Sequence, residues 1–371
     1  MDYSIYDAAF HSGPARRASK RERHQAVKSF SKCALAILLF ILISNAVVIA
    51  VEVMILLFFP PHLAEKIVLN PYFAWSMQVL GPYLIAFPTL LLITHGMPRA
   101  RYKSSKMTAS EFITVFIICT GAVMVGSYIS DMVSFVIQIF GGAPVVDITA
   151  NLILETPVSI ILLVVVIIGP LVEELIFRKV LIDRMSIYGD RLAVAVSSVM
   201  FGIFHGNLSQ LFYATALGVA LGYVYTKTRK VKYTALLHML INLFGTLPSV
   251  IMLKCDQRMY EIGTKYPDGI IPSDAVADTF EVLNATVTIF SLAAIQYALA
   301  LTGIILFIVL TAKGAYKFST QCEISLPKRT VFRASFLNLG MILYILFSLA
   351  TIILSLYPNI LNDLLAASLT S

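Results

Sequence analysis

Two adjacent carboxylates, Glu173 and Glu174, end one of the most apolar runs of the sequence, in GPLVEELIFRKV over residues 169–180, with Arg178 close behind. A charge at the centre of a bilayer costs at least ~2.5–3.5 kcal/mol on insertion scales, so three together must pair with one another or face a cavity. Glu174 and Arg178 are four residues apart, share a helix face and can form an ion pair. Glu173 points about 100° away around the helix. One carboxylate is then neutralised by Arg178 while the other is left for another use. The opposing reading is a solvated helix end at the membrane interface, which the nearby Lys179, Asp183 and Arg184 favour.

Two further stretches weigh against that bland reading. FGIFHGN puts His205 four residues after Phe201, and LLHMLINLF puts His238 four residues before Asn242, each pair on one helix face. His205 and His238 are the two histidines that lie within this apolar region; His11, His24, His62 and His95 fall in the tail, in loops or at a boundary. A carboxylate in an apolar pocket has its proton affinity raised and suits a general base. Neutral imidazoles hold a water or a divalent metal, and an asparagine amide can donate to the oxyanion of a tetrahedral intermediate. Two histidines and a glutamate are also a catalytic zinc set, so Glu173, His205 and His238 are candidate ligands for Zn2+. The residues therefore fit hydrolysis by either of two routes, metal-bound water or water activated directly by Glu173. No HExxH is present, Ser209 has nothing marking it as a nucleophile, and Asp131 and Asp190 do not form matched intramembrane contexts.

The elements that must hold these residues are membrane helices. The chain has 371 residues, of which 58% are hydrophobic and 13% charged, and its mean hydropathy is +0.84. A soluble domain is nearer half apolar and a quarter charged. Apolar runs at roughly 31–59, 72–95, 111–141, 153–185, 192–206, 209–226, 232–253, 286–311 and 335–357 predict an all-α, polytopic transmembrane bundle of about eight or nine membrane helices. The fourth run carries Pro170 and is expected to bend or break there; the fifth is short, hence tilted or only partly spanning. The organisation expected is a basic tail at 1–32, N-terminal membrane helices at 33–152, a motif core at 153–253, an external loop at 254–285 and C-terminal membrane helices at 286–371. The tail is too polar, and the run after it too long, for a cleavable signal peptide.

The net charge of +7 does not point to nucleic acid, because lysines and arginines gather in the tail and in alternate loops, at Arg99–Lys106, Arg184–Arg191, Lys227–Lys232 and Lys313–Arg333. That is the positive-inside pattern. It predicts a multi-pass protein of the cell membrane with a cytoplasmic N-terminus and a polar site cavity that opens toward the cytoplasm or sideways into the inner leaflet. The isolated cysteines Cys33, Cys119, Cys255 and Cys322 form neither a disulfide framework nor a metal site.

With EELIFR at 173–178, FGIFH at 201–205 and HMLIN at 238–242 in order on separate predicted helices, the chain resembles the CAAX prenyl endopeptidase and bacteriocin-processing (CPBP) family of intramembrane proteases. The family pattern is Glu-Glu-x-x-x-Arg, Phe-x-x-x-His and His-x-x-x-Asn or Asp, and all three parts are complete. The resemblance covers about 153–253. It implies an intramembrane endopeptidase whose site lies within the bilayer. By position it implies that Glu173 is the catalytic glutamate that activates water. Glu174 and Arg178 match the supporting pair, His205 and His238 the essential histidines, and Asn242 the residue that stabilises the oxyanion. It leaves open whether Zn2+ is needed. The partners implied are a peptide or membrane-protein substrate and the lipid bilayer. Short loops and a lean architecture suggest a bacterial member. The alternatives are a non-catalytic immunity factor or scaffold of the same fold, and a proton-coupled transporter using the same His and Glu residues. Against the transporter, the sequence shows no internal repeat and a single candidate helix break.

Overall fold

In hydrocarbon a backbone must satisfy its own N–H and C=O groups, and a helix does so within one segment. The computed structural model, which describes residues 16–100, 102–140, 156–273, 275–316 and 322–356, is accordingly a helical bundle. Its helices are α1 (Lys20–Phe58), α2 (Pro61–Val68), α3 (Pro71–Thr94), α4 (Ala109–Ile139), α5 (Val158–Tyr188), α6 (Asp190–Phe204), α7 (Leu208–Thr228), α8 (Val231–Lys265), α9 (Val276–Ala312), α10 (Lys328–Ser335) and α11 (Leu339–Leu356). Two short strands, β1 (Arg16–Arg17) and β2 (Ile324–Ser325), pair in parallel. Eight of the helices are long and apolar enough to cross a membrane: α1, α3, α4, α5, α7, α8, α9 and α11. The fifth expected span corresponds to α6, whose 15 residues reach ~22 Å at 1.5 Å per residue, short of the ~30 Å hydrocarbon core.

Two expected boundaries move. The basic tail expected at 1–32 is helical from Lys20, where Ser19 and Glu22 form a reciprocal cap on α1; its residues 1–15 lie outside the described residues, as do 141–155 and 357–371. The loop expected at 254–285 is mostly helix, because α8 runs on to Lys265 and α9 starts at Val276. Charge pairs between the two helices carry this extension: Arg258 meets Glu281 at 2.8 Å and Lys265 meets Asp278 at 2.6 Å. The polarity that made the stretch look like a loop belongs to the solvated ends of two long helices.

The basic segments meet at one end of the bundle. Arg16 and Arg17 pair with Ile324 and Ser325. The Ala100 N–H donates to the Asp183 carbonyl at 2.7 Å, the Ser105 N–H to the Thr228 carbonyl at 3.0 Å, and the Glu323 N–H to the Ile187 carbonyl at 3.0 Å.

Three features fix the helices that matter for the site. In α5 the winding widens over Leu162–Ile168 and again over Leu175–Ile182, flanking the Glu pair. In the first wide turn the Gly169 N–H reaches the Val164 carbonyl five residues back. The next carbonyl, Val165, would in that register face the nitrogen of Pro170, which has no hydrogen to give. The Asn242 side chain on α8 supplies it instead, Nδ2 donating to Val165 O at 2.9 Å. Between α6 and α7 the backbones approach closely: a β-carbon on Gly218 would stand 3.0 Å from Ser198 Cα, and one on Gly202 would overlap the Thr215 hydroxyl. Finally, Arg229 caps α7 in the left-handed conformation, φ 54°, which is unusual for a side-chain-bearing residue. Its guanidinium meets both oxygens of Asp190 at 2.6 Å and lies 4.2 Å from the Tyr102 ring centroid. That clasp ties the start of α8 to the start of α6, and so sets the helix carrying His238 against the one leading to His205.

Candidate active site

Glu174 and Arg178 form the pair expected from their spacing, and both are fully buried. Arg178 Nε donates to Glu174 Oε2 at 2.9 Å and Nη2 to Oε1 at 3.2 Å. The guanidinium carbon lies 5.2 Å from the Phe201 ring centroid, so the aromatic face covers the cation where no further anion does. Arg178 Nη1 has no hydrogen-bond partner among the described residues. The bland reading, a solvated helix end, is therefore incorrect for these two residues.

His238 joins the same carboxylate from α8. Its Nδ1 lies 3.2 Å from Glu174 Oε1, and since an ionised carboxylate only accepts, Nδ1 carries the hydrogen. Nε2 then faces Glu173, whose Oε2 is 3.7 Å away. That distance is too long for a hydrogen bond. Glu174 is thus occupied by three donors, two from Arg178 and one from His238. Among the described residues Glu173 is paired to no lysine or arginine, and its side chain keeps 21% exposure against none for Glu174. Adjacent glutamates, offset around one helix, have been given opposite environments.

His205 lies at the C-terminal end of α6, its ring centroid 5.1 Å from Phe201, while Phe201 stands 5.7 Å from His238. Phe177 on α5 packs edge-on to Phe201 at 5.0 Å, and the Ser197 hydroxyl donates to the Phe177 carbonyl at 2.8 Å, which holds α6 against α5. The structure therefore brings together Glu173, Glu174, Arg178, His205 and His238 from three helices. Asn242 lies one turn beyond His238, with one amide hydrogen engaged by Val165.

The candidate zinc ligands Glu173, His205 and His238 are not gathered as a ligand group among the described residues. No three His, Cys, Asp or Glu side chains among those residues are gathered to hold a metal ion.

Sequence reasoning missed Tyr83 on α3, whose hydroxyl lies beside Gly169; a single tyrosine in an apolar run carries no signal by itself. It also missed the structural duty of Asn242, for which the clue was Pro170 itself. A cavity of about 300 Å³ lies between α3 and α5, lined by Trp75, Val79, Ile160 and Val164 among others.

Residues 155–244 match the family model described as type II CAAX prenyl endopeptidase Rce1-like. The motif segment is Rce1-like. The match begins just before α5 and ends two residues after Asn242, so the Rce1-like segment contains all six expected site residues and the clasp between Asp190 and Arg229. The chain is 33% identical over 91 residues to the candidate membrane peptidase YdiL of Bacillus subtilis (strain 168), covering 24% of this chain and 36% of that protein. It is 34% identical over 115 residues to the membrane-embedded CAAX protease MroQ of Staphylococcus aureus (strain USA300), covering 29% of this chain and 47% of that protein. The chain thus spans between about a third and a half of the length of these curated relatives. No solved structure matches it. Helices α1 to α4 and α9 to α11 lie outside the Rce1-like segment.

Proposed function

We propose that the protein is an intramembrane endopeptidase of the CAAX-protease-like kind, in which Glu173 activates a water for attack on a peptide bond. One observation carries this reading: Glu174 is completed by Arg178 and His238, which leaves Glu173 beside His238 as a partly exposed carboxylate without its own arginine or lysine. Glu173 takes a proton from water as the oxygen bonds to the carbonyl carbon. When the tetrahedral intermediate collapses, the C–N bond breaks and the same proton passes to the leaving amine. His238, held by Glu174 through Nδ1–H, keeps its place beside Glu173, and His205 and the second amide hydrogen of Asn242 are the donors we assign to oxyanion stabilisation. Glu174 and Arg178 act by holding His238 in register.

The substrate is a peptide or a membrane-protein segment that reaches the site through the bilayer. We place the N-terminus and the basic end in the cytoplasm of a bacterial cell by the positive-inside rule. A basic mouth there favours a peptide with a free carboxylate or acidic residues. His238 lies seven residues into α8, ~10 Å from that end at 1.5 Å per residue. The test is proteomics of membranes carrying either the wild-type protein or Glu173→Ala at matched abundance. New peptide ends in the wild-type sample alone are expected; identical sets of ends would overturn the reading.

A further inference from the structure

Gly169 lies one turn before Glu173 on α5, and across from it stands Tyr83, in the wide-wound segment Leu80–Ala86 of α3. A β-carbon on Gly169 would stand 3.1 Å from the Val164 carbonyl oxygen, 3.6 Å from the Tyr83 hydroxyl oxygen and 4.0 Å from Glu173 Oε1. The missing side chain therefore leaves a gap with a phenol on one side and the proposed base on the other. Tyr83 is half-buried, and its hydroxyl makes no hydrogen bond to the described residues. An O–H···O hydrogen bond needs about 2.8 Å between oxygens, so a water that bridges the two oxygens lies off the β-carbon position and closer to both.

We infer that Tyr83 is a further catalytic residue, its phenol oxygen accepting one hydrogen of the attacking water over Gly169 while Glu173 accepts the other. This rests on the reading of Glu173 given above. With both hydrogens held, the water oxygen keeps a lone pair free and fixed in direction. That pair forms the bond to the carbonyl carbon, one hydrogen transfers to Glu173 and then to the leaving nitrogen, and the other stays on the new carboxyl group. Tyr83 neither gains nor loses a proton overall; its contribution is alignment of the nucleophile, for which a displacement of about 1 Å can cost about 100-fold in rate.

The test uses the full-length protein in liposomes and an internally quenched peptide copied from a cleavage site found only with the wild-type protein. Tyr83→Phe removes one oxygen that has no protein partner, so its melting temperature is expected to equal that of the wild type. Its kcat is expected to fall about 10- to 100-fold, with KM within about twofold. Gly169→Ala, which fills the gap with a methyl group, is expected to lower kcat comparably. The double variant is expected to be no slower than the slower single one, since both changes remove the same water. A Tyr83→Phe rate within twofold of wild type, a lowered melting temperature, or fully multiplicative losses in the double variant would overturn the role of Tyr83. If Glu173→Gln is inactive while Tyr83→Phe is fully active, only this inference falls. If Glu173→Gln cleaves normally, or the wild type yields no cleavage site, the reading of the active site falls and this inference with it.

Discussion

Removal of the Glu174 carboxylate should unfold the protein before it disables the chemistry. In Glu174→Ala the Arg178 guanidinium, fully buried, loses acceptors at 2.9 and 3.2 Å, and His238 Nδ1 loses one at 3.2 Å. Arg178 Nη1 already has no partner among the described residues, so little remains to take up the charge. Breaking a buried pair from one side costs about 3–5 kcal/mol, against a total stability on the order of 5–15 kcal/mol for folded proteins. The folded-to-unfolded ratio should drop by roughly two to four powers of ten, at 1.4 kcal/mol per tenfold. The sole tryptophan, Trp75, gives the readout, because its indole Nε1 donates to Thr156 at 2.8 Å and links α3 to the segment leading into α5. Intrinsic fluorescence melting in detergent should show a marked loss for Glu174→Ala, with low abundance in membranes, and near-normal values for Glu173→Gln. Glu174→Leu combined with Arg178→Leu should recover much of the stability, since removing both charges leaves none stranded, while staying inactive because His238 has lost its orienting partner. Equal stability of Glu174→Ala and wild type, or no recovery in the double variant, would refute the reasoning.

Three further outcomes are expected. Asn242→Ala leaves the Val165 carbonyl without a donor beside Pro170, so it should lower the melting temperature at a cost of about 1–3 kcal/mol; Pro170→Ala in that background should restore part of the loss by supplying an N–H, as measured by the same fluorescence. Chelation by 1,10-phenanthroline should leave peptide cleavage unchanged, and a loss of activity reversed by added Zn2+ would contradict direct activation of water by Glu173. Single cysteines at positions 103 and 328, in a background lacking the native four, should react with a membrane-impermeant thiol reagent in inverted vesicles and be protected in intact cells; the opposite pattern would place the basic end outside.

The sequence carried the site well where chemistry follows helical spacing. Glu174 and Arg178 at i and i+4, with Glu173 turned away, required no tertiary knowledge, and their environments differ as that offset implies. The convergence of His205 and His238 was legible because polar groups in hydrocarbon need partners. Side-chain duties that depend on a local backbone defect were not. Asn242 read as an oxyanion donor, and its hydrogen bond to Val165 appears only once α5 widens ahead of Pro170. Tyr83 sits 90 positions before Glu173 in an apolar run, and nothing in one dimension brings it to Gly169. The charged stretch at 254–285 was mistaken for a loop because polarity in a membrane protein marks water, not the end of a helix, and the ion pairs of Arg258 and Lys265 support helices that continue past the bilayer.

The central claim is that Glu173 directs a water onto a peptide carbonyl. The purified protein in liposomes, incubated with a cleavable peptide in water enriched in oxygen-18, tests it most directly by mass spectrometry of the products. The account predicts one heavy oxygen in the carboxyl group of each new C-terminal fragment, and no fragments above background with Glu173→Gln at equal folded amount. Labelled fragments formed by Glu173→Gln at the wild-type rate would contradict it.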